Sequence, residues 1–236
     1  MGKINKVFVS LMFFGFFAFL SFGEVEADQQ EEKEVQENLW DKVVLRIDDG
    51  PTKYTEKLVE TIKKFKIKNA NFYVIGENCL TNNGKIDEAK SKILKQIIEE
   101  GWTIGNHTMH HPELTKTKKD YFLKHPEEWE KEIKDCEELL FKILGFYPKS
   151  FATPGIPAGK NLPEKLREVV KNLNLEFDLG WTIDSSDSRK GKKILPPQEV
   201  AEKIKESQGE IIFLVHDKKE TASYLEEINN YLIKKD

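Results

Sequence analysis

The chain has 236 residues, of which 33% are charged, and its formal net charge is −4 at pH 7. This length is sufficient for one domain with a full core, or at most for two small domains. The acidic balance argues against a general nucleic-acid-binding protein, because such proteins are normally basic.

The N-terminus has the pattern of a secretory signal peptide. Lys3 and Lys6 provide positive charge before an apolar stretch at 7–23, and small residues follow that stretch. This pattern predicts a signal peptide over 1–27 with cleavage before Asp28. The apolar stretch is short for a membrane-spanning helix. We therefore predict a secreted or extracytoplasmic protein (periplasm or cell envelope) with no stable membrane span after cleavage, with a retained N-terminal anchor as the alternative.

The remainder of the chain is predicted to form one domain. A polar and charged segment at 28–40 precedes this domain, which we place at 41–236. Cys79 and Cys136 belong to a chain expected in an oxidising space, where a disulfide can form. Cys136 shares a helical spacing with apolar neighbours, so we interpret it as a core residue rather than as half of a bridge.

From residue 42 onward, apolar β-branched runs alternate with amphipathic helical patterns. The predicted strands are 42–47, 69–76, 102–107, 149–153, 176–184 and 210–217. The predicted helices are 54–66, 87–100, 127–145, 164–173, 197–207 and about 219–234. Repeated alternation of strand and helix is typical of a parallel sheet with helices outside it. We therefore predict an α/β fold, an irregular barrel of about seven parallel strands.

Polar residues cluster where the predicted strands end. In (β/α) barrels, the residues that carry the chemistry lie at the C-terminal ends of the strands. The residues at or just past predicted strand ends are Asp48, Asp49, His107, Thr153, Asp184, His216 and Asp217. This placement favours a functional role for the cluster.

Asp48 and Asp49 stand side by side at the end of the first strand, before Gly50 and Pro51. Neighbouring side chains in a strand point to opposite faces, but this rule loosens at the last residues of a strand. Two carboxylates that share a site repel each other and usually need a cation or different protonation states. A plain Asp-Gly turn is the alternative interpretation of this stretch taken alone.

A histidine cluster follows the strand at 102–107. His107 and His111 are four residues apart, so on one turn of helix they would share a face and could bind one metal ion. Asp49 would complete a set of two histidines and one carboxylate, which suits Zn²⁺ and also accepts Co²⁺, Ni²⁺ or Fe²⁺. Because Thr108 follows His107, the set lacks the glutamate base of a His-Glu-x-x-His zinc peptidase. An exposed polar loop is the alternative.

The segments DDGP (48–51) and HTMHHP (107–112) together resemble the first two motifs of the polysaccharide deacetylase family, which is carbohydrate esterase family 4 with its NodB-like domain. The resemblance spans about 42–217 and implies a distorted (β/α) barrel. It also implies metal-dependent removal of acetyl groups from N-acetylated sugars. Three later segments agree with the family in order: FATPG (151–155), DSSD (184–187) and LVHD (214–217).

The resemblance assigns the metal site and the base. Asp49, His107 and His111 match the ligands of one divalent ion, which lowers the pKa of its water and polarises the acetyl carbonyl. Asp48 matches the catalytic base, which takes the proton of that water. The charge of the ion would explain why two adjacent aspartates tolerate each other.

The resemblance also assigns the groups around the leaving amine. His216 matches the general acid, and Asp187 matches its partner, whose charge favours the protonated imidazole. The backbone N–H of Gly155 would stabilise the oxyanion. Leu214 matches the residue that lies against the acetyl methyl group.

Two residues depart from the family pattern. Ala152 stands where the family usually has an arginine that orients the base, and Ser188 stands where it often has a tryptophan that lines the acetyl pocket. Arg46 lies two residues before Asp48, so both side chains point to the same side of the strand. We hypothesise that Arg46 replaces the missing arginine. The alternatives are that Arg46 points outward or that Arg189 takes this role.

The sequence therefore predicts a metal-dependent hydrolase that removes N-acetyl groups from an N-acetylglucosamine-containing polysaccharide, either peptidoglycan or an exopolysaccharide. Two alternatives remain open. The missing arginine and tryptophan permit a catalytically silent glycan-binding domain of the same fold. The serine at 188 permits a reshaped pocket and a different amide substrate.

Overall fold

The computed structural model describes the predicted domain with short gaps. The described residues are 38–112, 125–155, 162–178, 180–188 and 191–234. The predicted signal peptide, residues 28–37 and Arg189 lie outside them. Among the helices that are described, none combines the length and the apolar character needed to cross a membrane.

A seven-stranded parallel sheet, curled into a half-barrel, forms the centre of the described structure. Its strands are β1 (Val43–Gly50), β2 (Asn69–Val74), β3 (Thr103–Asn106), β4 (Ser150–Phe151), β5 (Glu176–Phe177), β6 (Ile183–Asp184) and β7 (Ile211–His216). The strand order is β5-β4-β3-β2-β1-β7-β6, so β1 is an interior strand between β2 and β7, and β5 and β6 are the two edges. The predicted fold class is confirmed.

Helices surround the sheet at the positions that the sequence pattern predicts. Those described are α1 (Thr55–Lys64), α2 (Glu88–Glu99), α3 (Pro126–Leu144), α4 (Glu164–Asn172), α5 (Pro197–Glu206) and α6 (Thr221–Ile233). Two short 3-10 helices add Leu39–Lys42 and Gly76–Cys79. The ends of every one of these α-helices lie within two residues of the predicted ends, because amphipathic spacing and terminal residues specify them locally.

The apolar stripe of α3 shows how the core is built. Ile133, Cys136 and Leu140 are fully buried at helical spacing, and the helix ends at Gly145, whose φ of 84° is left-handed. Cys79 is also buried, and both thiols are free. The interpretation of Cys136 as a core residue is confirmed.

The predicted strand at 176–184 is wrong, because its two ends pair at opposite edges of the sheet. Phe177 pairs with β4, whereas Ile183 pairs with β7. Between them, Gly180 has a left-handed φ of 79°, which a continuous strand does not contain. The segment at 178–182 therefore connects the two edges of the half-barrel.

Candidate active site

The end of β1 brings both neighbouring aspartates into one cavity. Asp49 has a left-handed φ of 71°, and the pairing of β1 with β2 shifts register between Ile47 and Gly50. A left-handed residue interrupts the alternation of side chains along a strand, so Asp49 can share a side with Asp48. The side-chain amide of Asn78 donates a hydrogen bond to the Asp49 carbonyl at 2.8 Å and holds the turn.

Residues 107–112 form a loop, so the helical turn predicted for them is wrong. Thr108 and His111 have left-handed φ angles of 71° and 52°, which a right-handed helix excludes. Side chains hold this loop. The side-chain oxygen Oδ1 of Asn106 accepts from the Thr108 N–H at 2.8 Å, and the Thr108 hydroxyl accepts from the His111 N–H at 3.0 Å. The Asn106 amide donates to the carbonyl of Ile133 on α3.

The turn and the loop bring three potential metal ligands together. One ligand atom each from Asp49, His107 and His111 lies within 4.8 Å of the others. The Nε2 atoms of His107 and His111 lie 3.5 and 3.3 Å from Asp49 Oδ1. His107 Nδ1 lies 2.8 Å from the Ala152 carbonyl oxygen. Because a carbonyl can only accept, Nδ1 carries the hydrogen and Nε2 presents its lone pair to the site.

The chemistry of this set fits a divalent cation. Asp49 Oδ1 is buried and has no hydrogen-bond partner among the described residues, and a carboxylate oxygen in that position usually needs a counter-charge. Burial alone would raise the pKa of Asp49. When these imidazoles are protonated, the hydrogen bond and charge of His107 and the charges of His216 and His111 outweigh burial and hold that pKa well below its usual range. The set therefore presents an ionised carboxylate and two imidazole nitrogens.

Arg46 points inward and contacts Asp48 through two hydrogen bonds. Its Nε and Nη2 atoms donate to the two carboxylate oxygens at 2.9 and 2.8 Å. The two side chains are only 2% and 6% exposed. The alternative of an outward-pointing arginine is wrong. A bidentate, buried pair of this kind fixes the orientation of the carboxylate.

His216 and Asp187 form a second pair on the other side of Asp48. His216 ends β7 directly beside Asp48 of β1. Its Nδ1 lies 2.6 Å from Asp187 Oδ1, and its backbone N–H donates to Oδ2 at 3.0 Å. Burial lowers the pKa of His216, but Asp187 outweighs it, so the net pKa is raised. For Asp187, burial acts upward and His216 outweighs it, so that pKa is lowered.

One cavity of about 540 Å³ gathers most of the predicted site residues. Asp187 does not line the cavity and contacts it through His216. Asp217 does not line it either, and its carboxylate accepts hydrogen bonds from Thr52 and Thr55. Ala152 is fully buried, and the cavity wall at the position of the missing tryptophan is the exposed Ser188. The predicted residues that line the cavity are Arg46, Asp48, Asp49, His107, His111, Gly155, Leu214 and His216.

Sequence reasoning missed three residues that surround Arg46. Asp178 Oδ2 lies 2.5 Å from Arg46 Nη1, and the guanidinium carbon lies 4.9 Å from the ring centre of Tyr73 and 5.1 Å from that of Trp181. We call Tyr73, Asp178 and Trp181 the arginine cage. Gly105 makes room for it, because a Cβ at that position would collide with the Tyr73 ring. The sequence did contain one indication, since Asp178 and Gly180 interrupt the apolar run 176–184 and are unusual inside a buried strand.

Comparison with known proteins identifies the family. The family described as polysaccharide deacetylase matches residues 36–177, which is more than half of the chain. The chain therefore belongs to the polysaccharide deacetylase family. Deacetylases of this family are metal-dependent, and Asp49, His107 and His111 are a possible metal site in this member. Asp187 and His216 lie beyond the matched residues.

Curated relatives and a solved structure agree with this assignment. The chain is 33% identical over 147 residues to a peptidoglycan-N-acetylglucosamine deacetylase of Bacillus cereus, over 62% of this chain and 46% of that protein. It is 25% identical over 177 residues to the peptidoglycan-N-acetylmuramic acid deacetylase PdaC of Bacillus subtilis, over 74% of this chain and 32% of that protein. The chain thus spans half or less of the length of these relatives. The crystal structure of the polysaccharide deacetylase Bc1974 from Bacillus cereus is 28% identical, with a TM-score of 0.59 over 80% of this chain and 86% of that one.

Proposed function

We propose that the protein is a metal-dependent N-deacetylase that removes acetyl groups from an N-acetylglucosamine-containing polysaccharide. The observation that carries the proposal is the meeting, in one cavity, of a metal-ligand set, a buried carboxylate held by an arginine and a histidine–aspartate pair. The relatives named as peptidoglycan deacetylases support peptidoglycan as the polymer, with an exopolysaccharide as the other candidate. Peptidoglycan lies outside the cytoplasm, so we also propose an extracytoplasmic location.

Asp49, His107 and His111 would hold the metal ion. When bound, such an ion lowers the pKa of its water and polarises an acyl oxygen. Two imidazole nitrogens and one carboxylate suit Zn²⁺ best, and Co²⁺, Ni²⁺ or Fe²⁺ fit the same donors. The Ala152 carbonyl supports this role for His107, because it fixes the ring with Nε2 facing the other ligands.

Asp48 would act as the base. Its carboxylate lies beside the ligand set, with Oδ2 3.9 Å from His107 Nε2. Arg46 occupies one side of that carboxylate and leaves the remaining lone pairs to accept a proton from the attacking water. Arg46 would thus replace the arginine that this family usually carries at the position of Ala152.

Other residues of the cavity would act on the oxyanion and the leaving amine. The backbone N–H of Gly155 would donate to the developing oxyanion. His216, kept protonated by Asp187, would pass a proton to the leaving nitrogen. Leu214 is 3% exposed at the cavity and would pack against the acetyl methyl group.

Acetate release tests the proposal directly. The purified protein, stripped of metal and then supplied with Zn²⁺, is incubated with chitooligosaccharides and with peptidoglycan, and free acetate is measured. We expect release only with metal. Metal binding without acetate release from either substrate would instead favour a catalytically silent glycan-binding domain. Hydrolysis of a different amide, and of neither glycan, would indicate that Ser188 has reshaped the pocket for another substrate.

A further inference from the structure

Asp178 gives Arg46 a second buried carboxylate. The Arg46 Nη1 to Asp178 Oδ2 distance is 2.5 Å, and the two side chains are 2% and 3% exposed. Asp178 is itself held, because its Oδ1 accepts from the Gly180 N–H at 2.8 Å. The guanidinium therefore bridges Asp48 on one side and Asp178 on the other.

The contact between Arg46 and Asp178 links two parts of the sheet that are not neighbours. Arg46 lies on the interior strand β1, whereas Asp178 directly follows the edge strand β5, and Trp181 precedes the opposite edge strand β6. The Asp178 N–H donates to the Phe151 carbonyl of β4, and the Thr182 N–H donates to the Ile212 carbonyl of β7. The short segment that joins the two sheet edges is thus attached to an interior strand of the sheet through Arg46.

We propose that Asp178 is a positioning residue, which holds Arg46 and through it the base Asp48, so that the segment joining the sheet edges supports the catalytic geometry. The proposal rests on the function proposed above. Asp48 fixes only two of the three guanidinium nitrogens. Without Asp178, Nη1 would keep only the Gly180 carbonyl at 3.5 Å, and the guanidinium could tilt between the Tyr73 and Trp181 rings.

Arg46 and Asp178 depend on each other electrostatically. Burial raises the pKa of Asp178 above its ordinary value, and the charge of Arg46 offsets only part of that rise. An arginine removed from this position would therefore leave Asp178 as a buried carboxylate without its cation, which is strongly unfavourable. The same substitution at Asp178 should consequently have opposite effects with and without Arg46.

A double-mutant cycle in kinetics tests the positioning role. We compare Asp178→Asn, Arg46→Met and the double variant in the zinc-loaded protein, with Asp135→Asn on the exposed face of α3 as a control carboxylate. Asp178→Asn should lower kcat roughly 10- to 100-fold, as loss of a supporting contact does, with KM and bound zinc unchanged. In the Arg46→Met background it should cause no further loss. An unchanged kcat for the single variant, or losses that multiply in the double variant, would overturn the proposal.

A stability cycle keeps the proposal separate from the enzymatic function. Urea midpoints are measured for the same variants in the metal-free protein. Asp178→Asn should lower the midpoint when Arg46 is present and raise it in the Arg46→Met background. A lowering of equal size in both backgrounds would contradict the coupling. If the wild type releases no acetate but the midpoints show the sign reversal, the proposed function fails while the link between Arg46 and Asp178 stands.

Discussion

The metal-ligand set lines the cavity and the arginine cage surrounds Arg46, and the two are built in different ways. Each part of the ligand set comes from a short stretch of chain with unusual backbone angles, at Asp49 and in the 107–112 loop. The arginine cage gathers side chains from distant parts of the chain, and Arg46 and Asp178 are more than one hundred positions apart. The first kind of site can be recognised from a motif, whereas the second needs the fold.

The largest effect is expected from a substitution that removes one metal ligand. His111→Ala removes one of three donors, so bound zinc should fall from about one ion per chain to near zero and acetate release should fall to the level of the metal-free protein. Elemental analysis and the acetate assay measure both. His125→Ala, an exposed histidine paired with Glu127, is the matched control and should retain metal and activity. Equal metal content in the two variants would remove this site assignment.

The next largest effect is expected at Arg46, where a substitution should reduce activity without reducing metal binding. Arg46→Met should lower kcat on the order of 10²-fold, the scale of a lost general-base contribution, while bound zinc stays the same. Arg167→Met on α4 is the arginine control and should behave as wild type. A variant at Arg46 that folds and turns over normally would show that Asp48 does not need this partner.

A smaller effect concerns the histidine–aspartate pair, which uses long-range contacts as the cage does. The acid must be protonated, so kcat/KM should fall as pH rises through the raised pKa of His216. Asp187 is the strongest of the carboxylates that raise this pKa, and Asp49 and Asp48 add to it. Asp187→Asn should therefore move the alkaline limb of the pH profile to lower pH.

We also expect the activity losses from substitutions at His216 and Asp187 to be non-additive. Because the two residues act as one unit, combining His216→Ala with Asp187→Asn should cost little more activity than His216→Ala alone. An alkaline limb that does not move in Asp187→Asn, or losses that multiply in the double variant, would argue that the two residues act independently.

The smallest expected effect is a loss of stability outside the site, and it serves as a control for general destabilisation. Asp87 caps α2, because its Oδ1 accepts from the N–H groups of Ala89 and Lys90 at 3.0 and 3.1 Å. Asp87→Ala should lower the free energy of unfolding by about 1 kcal/mol. Thermal melting should record this loss while kcat stays unchanged. A change in kcat would mean that general destabilisation alone can imitate the effects at Arg46.

The sequence predicted the helices and the parallel sheet well, because these depend on local spacing. The three residues that it named as metal ligands do lie together, and their role as ligands stays a prediction. The sequence placed Arg46 on the correct side through strand alternation alone. It missed Asp178 and Trp181, because strand pairing at opposite edges is decided by distant residues such as Phe151 and Phe213. The predicted helical turn at 107–112 failed for a different reason, since side-chain hydrogen bonds from Asn106 hold the loop in angles that helical spacing cannot reveal.

The left-handed backbone at Asp49, Thr108 and His111 has a consequence for how an ion binds. These conformations are unfavourable for residues with side chains, and hydrogen bonds from Asn78 to Asp49 and from His111 to Thr108 support them. Because those bonds belong to the fold, we expect the entropy of ordering the ligands to be lost when the chain folds and not when the ion arrives. In this respect the site is the opposite of a zinc finger, in which metal uptake and folding are one event. Chelation should leave the secondary structure intact, and affinity should depend on the donor atoms themselves.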